Sequence, residues 1–70
     1  MREYSRDEIE AAIEQWIVGF RAERNRAILK RRLIDGVRYE RLAKEFGLSS
    51  RQVKRIVYRT QEILFRHLKT

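Results

Sequence analysis

The feature that most constrains the fold of this chain is residues 39–56, YERLAKEFGLSSRQVKRI, where one glycine separates two segments with helical spacing of apolar residues. Gly47 follows the first segment directly, and glycine adopts the left-handed backbone that ends a helix at little cost. Ser49 and Ser50 come next, and a serine hydroxyl is a favoured acceptor for the free backbone N–H groups at a helix start. The sequence therefore predicts one helix that ends at Gly47 and a second that begins shortly after it.

The spacing of apolar residues within this stretch is also specific. Counted from Tyr39, apolar side chains occupy the fourth, eighth, tenth, fifteenth and eighteenth positions, and alanine occupies the fifth. These residues are Leu42, Phe46, Leu48, Val53 and Ile56, with Ala43 as the small residue. Such side chains fill the angle between two crossing helices, and the alanine lets the second helix approach the first closely. The pattern predicts a helix-turn-helix, with an ordinary helix pair in a bundle as the alternative.

Apolar spacing in the rest of the chain predicts two further helices and no strand. Ser5 followed by Glu8 matches a capping box, so we expect the first helix to begin at residue 6. Gly19 and Gly36 follow the first two periodic segments, where glycine commonly ends a helix. The chain contains no proline and three glycines. We expect a single all-α domain over residues 1–70, with helices at about 6–18, 22–35, 39–46 and 50–68.

The amphipathic helices also indicate which side chains face the core. In the first helix the apolar stripe comprises Ile9, Ala12, Ile13, Trp16, Ile17 and Phe20. In the last helix it comprises Val53, Ile56, Val57, Thr60, Ile63, Leu64 and Leu68. We interpret Trp16 as a core anchor, because its neighbours in the stripe are aliphatic. His67 is expected to pack against the stripe or to cap the helix end rather than to bind a metal.

Charge is distributed unevenly along the chain, whose net charge is +7. Residues 1–20 carry five acidic and two basic side chains, whereas residues 21–70 carry fifteen basic and five acidic ones. A basic block of this size indicates a polyanionic partner such as nucleic acid, or a surface that keeps a small protein in solution. The absence of cysteine, of a long apolar run and of a secretory signal pattern favours a cytoplasmic protein without a membrane span.

Residues 23–64 carry a series of short motifs in a fixed order. Glu23-Arg24 begins a helix, Asp35-Gly36 ends it, YERLA follows at residues 39–43, and Gly47-Leu48-Ser49 precedes a basic helix. This series resembles region 4, the promoter-binding domain of bacterial sigma factors, and the phage and prophage regulators built on that module. In many region 4 domains a glutamate that reads a promoter base stands where this chain has Arg51, so the usual promoter sequence is not the expected target.

The resemblance and the basic helix together predict sequence-specific binding of double-stranded DNA by a small transcriptional regulator. Seventy residues leave no room for the other domains of a complete sigma factor. In a helix-turn-helix, the first residues of the second helix meet base edges in the major groove. The candidates for reading bases are Arg51, Gln52, Lys54 and Arg55. The candidates for contacting phosphates are Arg38, Tyr39, Arg41, Ser49, Ser50, Tyr58 and Arg59.

Three alternatives remain open at this stage. The domain is also compatible with a protein-interaction module that docks on RNA polymerase or another regulator, and with an adaptor in DNA packaging or transposition. Homodimerisation through the last helix, with Ile63, Phe65 and Leu68 as contacts, would let two copies read paired half-sites. We expect no enzyme, cofactor or metal site, because the sequence contains neither a phosphate-binding glycine loop nor a cluster of metal ligands.

Overall fold

The structure, a computed structural model, describes residues 4–68 and contains four α-helices within that range. They are α1 (Arg6–Trp16), α2 (Ala22–Leu33), α3 (Tyr39–Phe46) and α4 (Ser50–Leu68). No strand occurs among the described residues. The prediction of a small all-α domain with four helices is therefore confirmed, and the bounds of α3 and α4 agree with the sequence prediction.

Helix α1 begins as the sequence predicts and ends earlier. The Ser5 hydroxyl accepts a hydrogen bond from the Glu8 N–H, and the Glu8 carboxylate accepts one from the Ser5 N–H, both at 3.2 Å. The helix ends at Trp16, two residues before the predicted bound. The Arg26 side chain of α2 donates to the Ile17 carbonyl at 2.7 Å and to the Glu14 carbonyl at 3.1 Å. These carbonyls are thus satisfied without another helical turn.

Helix α2 also ends two residues before its predicted bound, at Leu33. Beyond it, the Val37 N–H donates to the Arg31 carbonyl at 3.1 Å, and the Arg32 side chain donates to the Val37 carbonyl at 3.1 Å. Gly36 has the positive φ of 68° that this reversal of the chain uses. Because the backbone folds back to bond with the last turn, residues 34 and 35 leave the helix instead of extending it.

The connection between α3 and α4 forms the predicted helix-turn-helix. Gly47 lies in the left-handed region with φ 66° and ψ 36°, and the Leu48 N–H donates to the Ala43 carbonyl at 2.9 Å. Ser49 then starts α4 by a capping box. Its hydroxyl accepts from the Gln52 N–H at 3.1 Å, and its own N–H donates to the Gln52 side chain at 2.9 Å. Glycine at the turn and serine at the cap therefore act as the sequence indicates.

All four helices contribute to one hydrophobic core. Its fully buried side chains are Ile13, Ile28, Leu29, Leu42, Val53, Val57 and Leu64. Helix α4 packs against each of the other three helices, so its inner face forms the centre of the core. Thr60 is buried on that face, and its hydroxyl donates to the Ile56 carbonyl at 2.7 Å, which satisfies the only polar side chain buried in the described chain.

Three apolar side chains lie outside the core, contrary to the sequence prediction. Trp16 is 36% exposed and its ring stacks on the ring of His67, with centroids 3.8 Å apart. The prediction of Trp16 as a core anchor is wrong, because α1 ends at Trp16 and the next residue, Ile17, is buried in the core instead. Phe20 is 87% exposed because helical spacing no longer applies after Trp16. Ile63 is exposed on the flank of α4. His67 is also exposed and stacks on Trp16 rather than on the buried stripe of α4.

Candidate nucleic-acid interface

Helices α3 and α4, together with the residue before α3, expose seven cationic side chains to solvent, which we term the basic surface. It comprises Arg38, Arg41, Lys44, Arg51, Lys54, Arg55 and Arg59, all of which are exposed. The first acidic residue of α4 is Glu62, three turns into the helix. Of the two acidic residues of α3, Glu40 is exposed beside Arg41, and Glu45 is engaged by Arg31 of α2. Positive charge therefore dominates this side of the domain.

Packing of the opposite face of α4 fixes the direction of these side chains. Val53 and Val57 are fully buried, so residues about half a turn away from them must face outward. Arg51, Arg55 and Arg59 occupy those positions at intervals of four residues and lie on one outer face. The cationic face of α4 thus points away from the core, with its first turns next to the helix-turn-helix junction.

Two of the predicted contact residues, Ser49 and Gln52, bond to each other. The Gln52 side-chain oxygen accepts the Ser49 N–H, and the Ser49 hydroxyl accepts the Gln52 N–H. A cap by Ser49 or Ser50 was predicted, but the reciprocal bond of Gln52 was not, although a serine followed three residues later by glutamine matches a capping box. Ser50 is half-buried at the first position of α4.

Tyr39 lies at the junction of three helices rather than on the open surface. Its ring is half-buried, with the Arg32 guanidinium carbon 4.4 Å and the Lys54 ammonium 5.7 Å from its centroid. The Tyr58 ring meets it edge-on, with centroids 6.3 Å apart. Cations attracted to an aromatic face and aromatic rings in edge contact stabilise such clusters. Tyr39 therefore joins α2, α3 and α4. The contact of Arg32 with the Tyr39 ring was not predicted from the sequence.

A network of ion pairs links α3 to α2. The Arg31 guanidinium donates to both oxygens of Glu45, at 3.2 and 2.6 Å, and also to Asp35 at 3.3 Å. The hydrogen bond from Arg31 holds the pKa of Glu45 below its ordinary value, and the bond to Glu45 raises the pKa of Arg31. The Arg41 guanidinium approaches the same carboxylate at 3.5 Å. Sequence spacing alone does not reveal this contact, because fourteen residues separate its partners.

Acidification is expected to weaken the contact between α2 and α3. Since the pKa of Glu45 is lower in the folded chain than its ordinary value of 4.5, its contribution to stability is complete above that value and is lost as the pH falls below it. Urea unfolding measured between pH 7 and pH 3 is therefore expected to show a weaker pH dependence for Glu45→Gln than for the wild type. Glu62→Gln, which lies outside this contact, serves as the control. Equal pH dependence of the wild type and Glu45→Gln would contradict the prediction.

The predicted phosphate contacts occupy two parts of the basic surface. Arg38 and Arg41 line one shallow depression at the start of α3, together with Glu40 and Lys44. Lys44 was not predicted, although its helical position one turn after Arg41 indicates the same face. The other part, Tyr58 and Arg59, is exposed in the middle of α4. The structure thus brings Arg38 and Arg41 together at one depression, and the Tyr58 ring contacts the ring of Tyr39 next to Arg38.

The three residues predicted as dimer contacts do not share one face. Ile63 and Phe65 are two residues apart in a helix, so their directions differ by about 200°. Leu68 is half-buried and packs against the core. Homodimerisation stays a prediction, but these three residues do not form a continuous surface in one chain.

The described residues contain no cluster of three or more side chains suited to holding a metal ion. None of the helices in residues 4–68 has the length and apolar character needed to cross a membrane. Comparison with protein-family models, with curated proteins and with solved structures finds no match to this chain.

Proposed function

We propose that this chain binds double-stranded DNA sequence-specifically through α4, as a small cytoplasmic transcriptional regulator of the phage or prophage type. The observation that carries the proposal is the exposed cationic outer face of α4, which has no acidic residue before Glu62. The major groove of DNA is wide enough to admit an α-helix. A helix whose inner face is fixed in the core and whose outer face is basic is suited to that groove.

Affinity and register are proposed to come from phosphate contacts on both sides of the groove. Arg38 and Arg41 at the start of α3 are available to one strand, because the first helix of a helix-turn-helix crosses the DNA backbone. The free N–H groups at the start of α4 favour a second phosphate, since the helix dipole is positive there. Such contacts set the orientation of the protein and do not select a sequence.

Fluorescence anisotropy with labelled duplexes at a series of salt concentrations tests this proposal. For about six phosphate contacts, the logarithm of the binding constant is expected to fall with the logarithm of salt concentration with a slope of about −5. A duplex selected from a random pool is expected to bind at least about a thousandfold more tightly than an unrelated duplex. Equal, weak affinity for all duplexes with a shallow slope would contradict the proposal.

A second candidate function is a protein-interaction module that docks on RNA polymerase or another regulator. It is favoured by exposed apolar side chains next to the end of α1, where Val18 is 67% and Phe20 87% exposed. A contiguous group of exposed apolar side chains commonly marks a protein–protein contact, and Val18 and Phe20 are two residues apart in the chain. This function predicts weak binding to DNA of any sequence, so the same titrations distinguish it from the first.

A further inference from the structure

The four candidate base-reading side chains at the start of α4 differ in the contacts that they make with the rest of the folded chain. Arg51, Gln52, Lys54 and Arg55 all belong to the first two turns of α4 and all are exposed. A side chain that contacts of the folded chain already hold in one orientation is less free to turn towards a base edge than a side chain without such contacts. The contacts of α4 with the rest of the chain therefore indicate which of these residues are available to DNA. The inference drawn from them rests on the proposed function.

Gln52 is committed to the start of the helix. Its side-chain oxygen accepts the Ser49 N–H at 2.9 Å, and the pairing is reciprocal. A glutamine that recognises adenine uses its oxygen and its NH₂ group together. The oxygen keeps a second lone pair, but the bond to the Ser49 N–H holds the Gln52 amide at the start of the helix, so the orientation of the amide is set by the capping box and not by a base.

Lys54 is directed to the flank of α4 where α3 begins. Its ammonium lies 5.7 Å from the centre of the Tyr39 ring, and Arg32 lies over the same ring at 4.4 Å. The Tyr58 ring, one turn after Lys54, holds Tyr39 by an edge contact. The electrostatic attraction between a cation and an aromatic face draws Lys54 towards α3 and the backbone side of the interface.

Arg51 and Arg55 have no such commitment. The side chain of neither residue makes a hydrogen bond or an ion pair with any other residue in the range 4–68. They are four residues apart, so both point outward from α4 with a separation of about 6 Å along its axis. The arginine guanidinium carries a planar fork of donors, and guanine presents two acceptors, O6 and N7, at the matching spacing in the major groove.

We propose that Arg51 and Arg55 are the specificity-determining pair and that the DNA target of this chain contains two guanines within three successive base pairs. The separation of about 6 Å between the two residues corresponds to one to two base-pair steps of about 3.4 Å. Each arginine donates two hydrogen bonds to one guanine. Gln52 maintains the start of the helix, and Lys54 contacts the DNA backbone.

Selection of bound sequences from random duplex DNA tests this pair, with the wild type, Arg51→Ala, Arg55→Ala, Gln52→Ala and Lys54→Ala run in parallel. The wild type is expected to enrich two guanines within three base pairs. Arg51→Ala and Arg55→Ala are each expected to lose the preference for one of them, with affinity for the wild-type target reduced about fivefold to 150-fold. Gln52→Ala and Lys54→Ala are the controls and are expected to keep both guanines.

A second measurement identifies the guanine atoms that the two arginines contact. Replacing either guanine by an analogue that lacks the N7 nitrogen is expected to weaken binding by the wild type and to leave the corresponding arginine variant unaffected. A selected sequence without the guanine pair, or one that changes in Gln52→Ala or Lys54→Ala and not in the arginine variants, would overturn the assignment while leaving DNA binding intact. Failure of the wild type to select any sequence would overturn the proposed function itself.

Discussion

Leu42→Ala is expected to lower the free energy of unfolding by about 2–5 kcal/mol, the usual range when a buried leucine is truncated to alanine. Leu42 is fully buried where α3 packs on α4, so its removal leaves a cavity between the two helices of the helix-turn-helix. A domain of this size has little stability in excess, and the loss is a large fraction of the total. Urea unfolding followed by circular dichroism measures the change.

Phe20→Ala is the matched control for that substitution. It removes a larger apolar side chain, but Phe20 is 87% exposed and contributes little burial. Its free energy of unfolding is expected to stay within about 0.5 kcal/mol of the wild type, as for most surface substitutions. If Phe20→Ala proved as destabilising as Leu42→Ala, the division between core and surface described above would be wrong.

Reversing two charges at the start of α3, Arg38→Glu with Arg41→Glu, is expected to weaken DNA binding by at least about a hundredfold, because like charges brought together at an interface cost several kcal/mol. Both side chains are exposed and line the same depression. The loss of two phosphate contacts is also expected to reduce the slope of affinity against salt by about 1.8. Anisotropy titrations at several salt concentrations measure both quantities.

The selected DNA sequence is expected to stay unchanged in this double variant, since phosphate contacts carry no sequence information. Arg6→Glu with Arg21→Glu alters the net charge by the same amount. Arg6 begins α1 and Arg21 precedes α2, so neither belongs to the basic surface. Equal weakening in both double variants would mean that affinity depends on total charge, and it would remove α3 from the proposed interface.

Local hydrogen bonds explain why some helix bounds were predictable and others were not. Helices α3 and α4 have the predicted bounds because Gly47 and Ser49 act on their own neighbours in the chain. Helix α1 ends early because Arg26, from the next helix, bonds the last carbonyls. A capping donor that comes from another helix leaves no pattern in the segment that it caps, so the predicted end near residue 18 was wrong.

The features of the candidate interface also divide into those that the sequence predicts and those that depend on how the helices pack. Helical periodicity is sufficient to place Arg51, Arg55 and Arg59 on one outer face, because the opposite face carries buried valines. Periodicity does not reveal that Lys54 lies over the ring of Tyr39, since this contact depends on how α3 crosses α4. The pairing of Arg31 with Glu45 depends in turn on the packing of α2 against α3.

The sequence by itself determined the number of helices, the helix-turn-helix and the sign of the charge on its outer face. Each of these follows from residue spacing and from bonds between residues close in the chain. Only the tertiary structure decided that Trp16 stacks on His67 outside the core. It also decided that the side chain of Lys54 contacts the Tyr39 ring, whereas the side chains of Arg51 and Arg55 make no hydrogen bond or ion pair with residues 4–68. The physical reason is that these outcomes depend on which side chains of different helices meet, and helical periodicity gives the direction of a side chain but not its neighbour.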